Sequence, residues 1–238
     1  KAYDRAFQNH AKVMNLKPLA WGATIPLPPA QMEARRRSQH SASVLDYGCS
    51  RGFLTVAMRE EGVNATGVDP SPAAIRFAKQ NLGGKHQDAF VQMTEDELAD
   101  AGGDFKFECV IATEILELVQ DPARTLGVLW NRVKDNGLLV ASFPRTEGQH
   151  RVKKFSRDEV QKIANVIDPD YPMRIVETDN EYILTAEKDR IVLKYAYVVS
   201  PTATVEQILD WESERRFKTG VTNWMRIFHG QVLRLEDL

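Results

Sequence analysis

Four short stretches of this sequence carry residue types that could hold a small ligand. The first is Asp46-Tyr47-Gly48-Cys49-Ser50-Arg51-Gly52, entered from the apolar pair Val44-Leu45. Its two glycines let backbone turn sharply and approach a ligand closely. A dinucleotide loop would read G-x-G-x-x-G, aiming backbone N–H groups and a helix start at pyrophosphate. Here Ser50 stands where the second glycine belongs. The second stretch is Asp69-Pro70, 17 residues past Gly52. A carboxylate there can accept from both hydroxyls of a ribose, each charge-assisted bond contributing roughly 1.5–3 kcal/mol. An Asp-Pro turn opening a helix would use the same aspartate. The spacing is shared with dinucleotide folds, so it indicates an adenosine-type ligand without choosing among them. The third is Gln87-Asp88-Ala89, read as following a third strand. Asp88 could accept from an adenine amino group, with the Ala89 N–H facing a ring nitrogen. The fourth is Ala112-Thr113-Glu114-Ile115-Leu116-Glu117-Leu118, after a strongly apolar run.

These stretches can act together only if the fold brings them to one edge, and the element pattern does so. Strands are expected over residues 44–47, 65–68, 85–88, 107–112 and 138–143. Helices are expected over 53–61, from 72 onward, over 95–101 and over 122–133. Ser71 is a natural N-cap with Pro72 at the first helical position. Such β-α-β-α order predicts an α/β fold with a parallel sheet, right-handed crossovers and helices on both faces. Ligands of open α/β sheets bind beyond the carboxyl ends of the strands. Beyond Pro144 the pattern changes. Ser156 caps a helix to about residue 167, and two β-rich runs, 174–185 and 191–199, predict an antiparallel hairpin at the sheet edge. We expect a helical N-terminal arm over 1–43, the main domain over 44–200 and a helical extension over 201–238. Within the arm an amphipathic helix covers about 3–16, and a second helical stretch about 29–37.

Composition excludes several classes. The chain is 43% hydrophobic and 27% charged with a net charge of −2, ordinary for a globular domain. That balance gives no whole-chain reason to expect nucleic acid. The basic clusters Arg35-Arg36-Arg37 and 151–154 are read as solvated faces. Two cysteines far apart make neither a disulfide framework nor a metal-ligand spacing. No apolar run approaches the ~18 residues of a membrane span. A cytoplasmic enzyme is the default expectation, and the chain opens with Lys1, as a piece of a longer polypeptide would.

Taken together, "VLDYGCSRG", Asp69, Asp88, "FECVIATEILELVQDP" and "GLLVASFP" resemble a class I S-adenosylmethionine-dependent methyltransferase. The resemblance is to the small-molecule group that includes ubiquinone-biosynthesis O-methyltransferases. It covers residues 44–144, and "KFSRDEVQKI" (154–163) is similar too. It implies a Rossmann-like, seven-stranded, mostly parallel sheet whose last two strands are the C-terminal hairpin. It also implies cofactor contacts from Gly48, Ser50, Gly52, Asp69, Asp88 and the segment around Thr113; Asp46, Cys49, Pro70, Ala89 and Glu114 lie on the same loops. S-adenosylmethionine carries a carboxylate, an amine and a sulfonium but no phosphate, so a turn with Ser50 in place of glycine suits it better than it suits NAD. Cys49 is then a small turn residue, not a nucleophile. The family often has Glu-His where this chain has Glu117-Leu118. Glu114 and Glu117 have the i, i+3 spacing of one helix face, yet two carboxylates without the histidine leave a metal site incomplete, and no metal is expected.

Methyl transfer from a sulfonium can rest largely on positioning. A base is required only for a protonated nucleophile such as a phenol or alcohol. The candidates are His150 and Glu117, with His10, His40, His86 and His229 less well placed. Tyr3, Phe7, Trp21, Met32, Phe143, Arg145, His150 and Arg151 could line a pocket for an anionic or aromatic acceptor, or could be core and surface. The expected partner is a small-molecule methyl acceptor, and a homodimer or attachment to a larger chain stays open. Two further readings are a nucleic-acid or protein methyltransferase and a catalytically silent S-adenosylmethionine-binding module.

Overall fold

The expected alternation closes into a single twisted sheet of seven strands. The computed structural model describes residues 27–146, 153–167, 171 and 173–188. Its strands are β1 (Val44–Tyr47), β2 (Ala65–Asp69), β3 (Phe90–Gln92), β4 (Phe107–Ala112), β5 (Val133–Pro144), β6 (Met173–Glu177) and β7 (Glu181–Glu187). The helices are α1 (Pro29–Ser38), α2 (Phe53–Glu60), α3 (Pro72–Phe77), α4 (Glu95–Asp100), α5 (Pro122–Asn131) and α6 (Arg157–Ala164). Across the sheet the order is β3-β2-β1-β4-β5-β7-β6. Strands β1 to β5 run parallel, and β7 lies antiparallel between β5 and β6.

The strands are apolar on both faces because helices cover both. All four residues of β1 are buried, as a central parallel strand requires. On one face Leu45, Val110, Leu139 and Leu184 pack with Leu126 and Leu129 of α5 and Val160 of α6. On the other, Val44, Cys109, Ile111 and Val140 pack with Leu54 and Met58 of α2 and with Ala30 and Ala34 of α1. Each fully buried Leu, Ile or Met contributes roughly 1.5–3 kcal/mol. Local signals fix where helices begin. The Ser71 hydroxyl accepts from the Ala74 N–H with Pro72 in the first turn, and Thr94–Glu97 and Ser156–Glu159 form reciprocal capping boxes.

Three expectations need correction. The third strand begins at Phe90, not over 85–88. Gly84–Ala89 is a 3-10 turn after the π-helical stretch Ala78–Gly83 that continues α3. Lys85-His86-Gln87-Asp88 offers no apolar side chain to the core, whereas Phe90 is buried. The hairpin is built within the run expected to be one strand: it turns at Thr178-Asp179-Asn180, and the Thr178 hydroxyl donates to the Glu181 carbonyl at 2.8 Å. The second expected hairpin strand, 191–199, lies outside the described residues. Finally, α5 stops at Asn131, short of the expected residue 133. Asn136-Gly137 sits where β5 shifts register between Val133 and Leu138, with Asn136 in left-handed backbone (φ +61°).

The chain divides into two units, Lys1–Lys188 and Asp189–Leu238. The helix expected over 3–16 and the extension over 201–238 also lie outside the described residues. Among the described residues, no helix is long and apolar enough to cross a membrane.

Candidate functional site

The sheet order reverses between β1 and β4, which makes the carboxyl ends of these strands the crevice of the fold. The Gly48–Gly52 turn leaves β1 at that point. Gly48 has φ +74°, and its N–H donates to the Val68 carbonyl at 2.8 Å. A Cβ there would lie 2.6 Å from Ile115 Cγ1. Gly52 has φ +84°, and a Cβ would lie 2.5 Å from the Phe90 ring. Between them Ser50 is also left-handed at φ +49°. A non-glycine residue held there costs of order 1–3 kcal/mol and needs surroundings that enforce it. Asp69 is the enforcing group: the Ser50 N–H donates to its Oδ2 at 2.9 Å.

Asp69 ends β2 fully buried. Its Oδ1 accepts from the Ser71 N–H at 2.8 Å, so two backbone amides orient the carboxylate. An ionised carboxylate only accepts, at about four sites. Pro70 follows it into the α3 cap. Asp46 lies beneath the same turn, with Oδ2 accepting from the Thr55 hydroxyl at 2.6 Å. Burial pushes its carboxyl up to about 6; the Thr55 bond opposes the rise and the neighbouring Asp69 reinforces it. Cys49 is buried, and burial together with Asp46 and Asp69 raises its thiol well above the ordinary range. A protonated, enclosed thiol is no nucleophile.

Past β4, Thr113 is buried and Glu114 takes a left-handed backbone, φ +56°. The Glu114 N–H donates to Ser142 Oγ on β5 at 3.0 Å. Gln31 of α1 donates through Nε2 to Glu114 Oε2 at 3.2 Å. Glu117 is buried three residues on. Residues 113–120 form no helix, so Glu114 and Glu117 do not share a helix face; the left-handed step at Glu114 interrupts any helix there. Among the described residues no cluster of His, Cys, Asp and Glu could hold a metal ion.

The fold therefore brings Asp46, Gly48, Cys49, Ser50, Gly52, Asp69, Pro70, Thr113, Glu114 and Glu117 to the carboxyl side of the sheet. It does not bring Asp88. That residue precedes β3, on the side where α2 ends, exposed and paired with Arg59 at 3.7 Å. Ala89 enters β3 as buried packing against Phe90 and Ala78. The residues level with Asp69 at the exit of β3 are Gln92 and Met93: Gln92 is in register with Asp69, and the Met93 N–H donates to the Asp69 carbonyl at 3.2 Å. The capping box at Thr94 was the signal that could have placed them, since a helix opening there ends the strand at Gln92. Phe143 is core, edge-to-face with Phe155, and Arg145 pairs with Glu177 on the surface. Met32 is exposed. His86 pairs with Glu60. Tyr3, Phe7, His10, Trp21, His150, Arg151 and His229 lie outside the described residues.

A family model described as a methyltransferase domain matches residues 27–177. The ubiquinone biosynthesis O-methyltransferase of Alkalilimnicola ehrlichii is 36% identical over 100 residues, covering 42% of this chain and 40% of that protein. The chain is thus matched to less than half the length of such curated relatives. Among solved structures, magnesium protoporphyrin IX methyltransferase from Synechocystis PCC 6803, with bound SAM, aligns with a TM-score of 0.53 at 17% identity, covering 77% of this chain and 91% of that one. The 4+2 cyclase SpnF aligns with a TM-score of 0.60 at 13% identity, covering 79% and 94%. At those identities the two structures speak for the fold alone. The family match spans more than half of the chain and includes every strand that forms the crevice, and it shows that this protein belongs to the class I S-adenosylmethionine-dependent methyltransferase domain family.

Proposed function

We propose that the protein binds S-adenosylmethionine along the carboxyl ends of β1 to β4 and transfers its methyl group to a small-molecule acceptor, an oxygen acceptor foremost. One observation carries the cofactor half: a fully buried carboxylate, Asp69, pre-oriented by two amides of which one belongs to the glycine turn itself. Ribose hydroxyls suit that carboxylate. A side chain at Gly48 or Gly52 would meet Ile115 or Phe90, so both positions hold the turn tight. Ser50 stands where a pyrophosphate loop has its second glycine, which favours a phosphate-free ligand over NAD. Asp46 suits the ammonium of the methionine end. Bound there, S-adenosylmethionine supplies a methyl already activated on a sulfonium.

This chain's residues then have three tasks. The Gly48–Gly52 turn and Asp69 orient the ligand, the Thr113–Glu117 segment borders the acceptor side, and the buried Glu117 is the described candidate to receive a hydroxyl proton. His150 remains the other candidate base. The arm over 1–43 fits a cap on the acceptor side, and the extension over 201–238 fits attachment to a further domain or a second copy. Two free, buried cysteines suit a reducing, cytoplasmic setting. Oxygen is favoured as the acceptor atom because the curated relatives are O-methyltransferases.

The macromolecular alternative loses its main support in the arginine run. Arg35 is bonded to Glu61, and Arg36 and Arg37 share Glu33, so the run is engaged within the protein as a solvated face would be. Calorimetry with S-adenosylmethionine, S-adenosylhomocysteine and NAD tests the cofactor half, and tighter binding of NAD refutes it. Labelled-methyl transfer into small-molecule and macromolecular pools tests the rest. Label appearing only in RNA or protein would refute a small-molecule acceptor, and no transfer at all would favour a binding module.

A further inference from the structure

Helix α1 has no cap of its own. Its N-cap is Pro28, its first residue is Pro29, and its first turn contains no acidic residue. An N-terminus without partners leaves amide donors unsatisfied and its positive dipole end uncompensated. The missing group comes from 151 residues away in sequence: the Ala30 N–H donates to Glu181 Oε1 at 3.0 Å. Glu181 is only 2% exposed, and Ala30 is fully buried. A carboxylate that far inside is costly unless its partners are fixed, and Glu181 sits on a fixed corner. It opens β7 opposite Pro144 at the carboxyl end of β5, with its own N–H donating to Thr178 Oγ1 at 3.1 Å.

The next residue but one in α1's chain order after that capped turn begins is Gln31, whose amide reaches Glu114 across the β4 exit. Glu114 is held in left-handed backbone by Ser142 and belongs to the segment proposed to meet the cofactor. The first turn of α1 is therefore fastened twice to the carboxyl side of the sheet, once at the β5–β7 corner and once at the β4 turn. The helix also reaches the core through Ala30 and Ala34.

We propose that Glu181 is a positioning residue of the site: by capping α1 it docks Gln31 against Glu114, coupling cofactor binding to the seating of the N-terminal arm. This rests on the S-adenosylmethionine reading above. Coupling is reciprocal: a seated α1 tightens the ligand by the same factor by which the ligand tightens α1.

The test uses the full chain, wild type beside Glu181→Ala and Glu181→Gln. Hydrogen exchange of the 27–38 segment is measured with and without S-adenosylmethionine, and calorimetry gives the Kd of S-adenosylmethionine and S-adenosylhomocysteine. In wild type the ligand should slow exchange of α1. In Glu181→Ala exchange of α1 should rise roughly tenfold or more, as loss of a charge-assisted bond predicts, while β1 and β4 keep their protection. The Kd should rise several-fold in Glu181→Ala, and Glu181→Gln, which keeps an acceptor oxygen, should recover most of both effects. Unchanged α1 exchange overturns the proposal, as does exchange rising equally throughout the sheet, which would mean a merely structural role. A loosened α1 with unchanged Kd overturns the coupling. Wild type that fails to bind S-adenosylmethionine refutes the functional reading instead, while the exchange comparison still decides whether Glu181 seats α1.

Discussion

Asp46→Asn should stabilise the ligand-free protein, and by an amount that depends on pH. Asp46 is buried beneath the glycine turn, close enough to Asp69 for their charges to repel, and its carboxyl is pushed up from 3.8 to about 6. Between those values the folded state holds a proton that the unfolded state has released. Stability from this group is therefore fully present below pH 3.8 and is lost as pH rises through about 6. The full loss corresponds to roughly 3 kcal/mol. Asparagine is never charged, and its carbonyl can still accept from the Thr55 hydroxyl. Relative to wild type, the variant should gain about 0.5 kcal/mol at pH 4 and about 3 kcal/mol at pH 8. Urea denaturation at a series of pH values between 4 and 8 measures this directly through the midpoint. A difference that does not grow with pH, or a variant less stable than wild type at pH 8, would refute the reasoning. The same variant should bind S-adenosylmethionine more weakly, because the buried charge it removes is the one suited to the ligand's ammonium. Such an exchange of stability for binding is common at functional sites.

Asp69→Ala should raise the S-adenosylmethionine Kd by roughly a hundredfold, through lost charge-assisted bonds and a released Ser50 turn; calorimetry checks it, and unchanged affinity would sink the cofactor proposal. Gly52→Ala should cost about 2 kcal/mol or more, read in thermal melts, because the added methyl meets the Phe90 ring and the backbone is left-handed. Cys49 should react with iodoacetamide at pH 8 far more slowly in the native state than in urea, since its thiol is enclosed and raised; rapid native alkylation would contradict the burial. Ser142→Ala should leave the Glu114 N–H without its 3.0 Å partner and weaken cofactor binding more than it lowers the melting temperature.

What could be read from residues alone were features set by local chemistry. The strand runs, the Ser71 and Ser156 helix starts, the glycine turn and Asp69 all depend on neighbours within a few positions, so they appear in the chain as spacing and type. The third strand failed for a local reason as well: Phe90-Val91 is too short to show alternation, and the polar Lys85–Asp88 stretch was taken in its place. The residues at the exit of the third strand are therefore Gln92 and Met93, while Asp88 and Ala89 stand at its entrance. The hairpin was misplaced because a two-stranded turn and one long strand have the same β-rich composition; only pairing distinguishes them. The contacts that seat α1 had no trace in the sequence at all. Glu181 and Ala30 are 151 positions apart, and Gln31 and Glu114 are 83 apart. A glutamate opening a strand and a proline-led helix without a cap look unremarkable separately. The sequence by itself determined most of the elements, their parallel alternation and the turns that end β1 and β2. The tertiary structure alone decided which distant carboxylate completes which helix, because satisfying a buried polar group is a condition on neighbours in space.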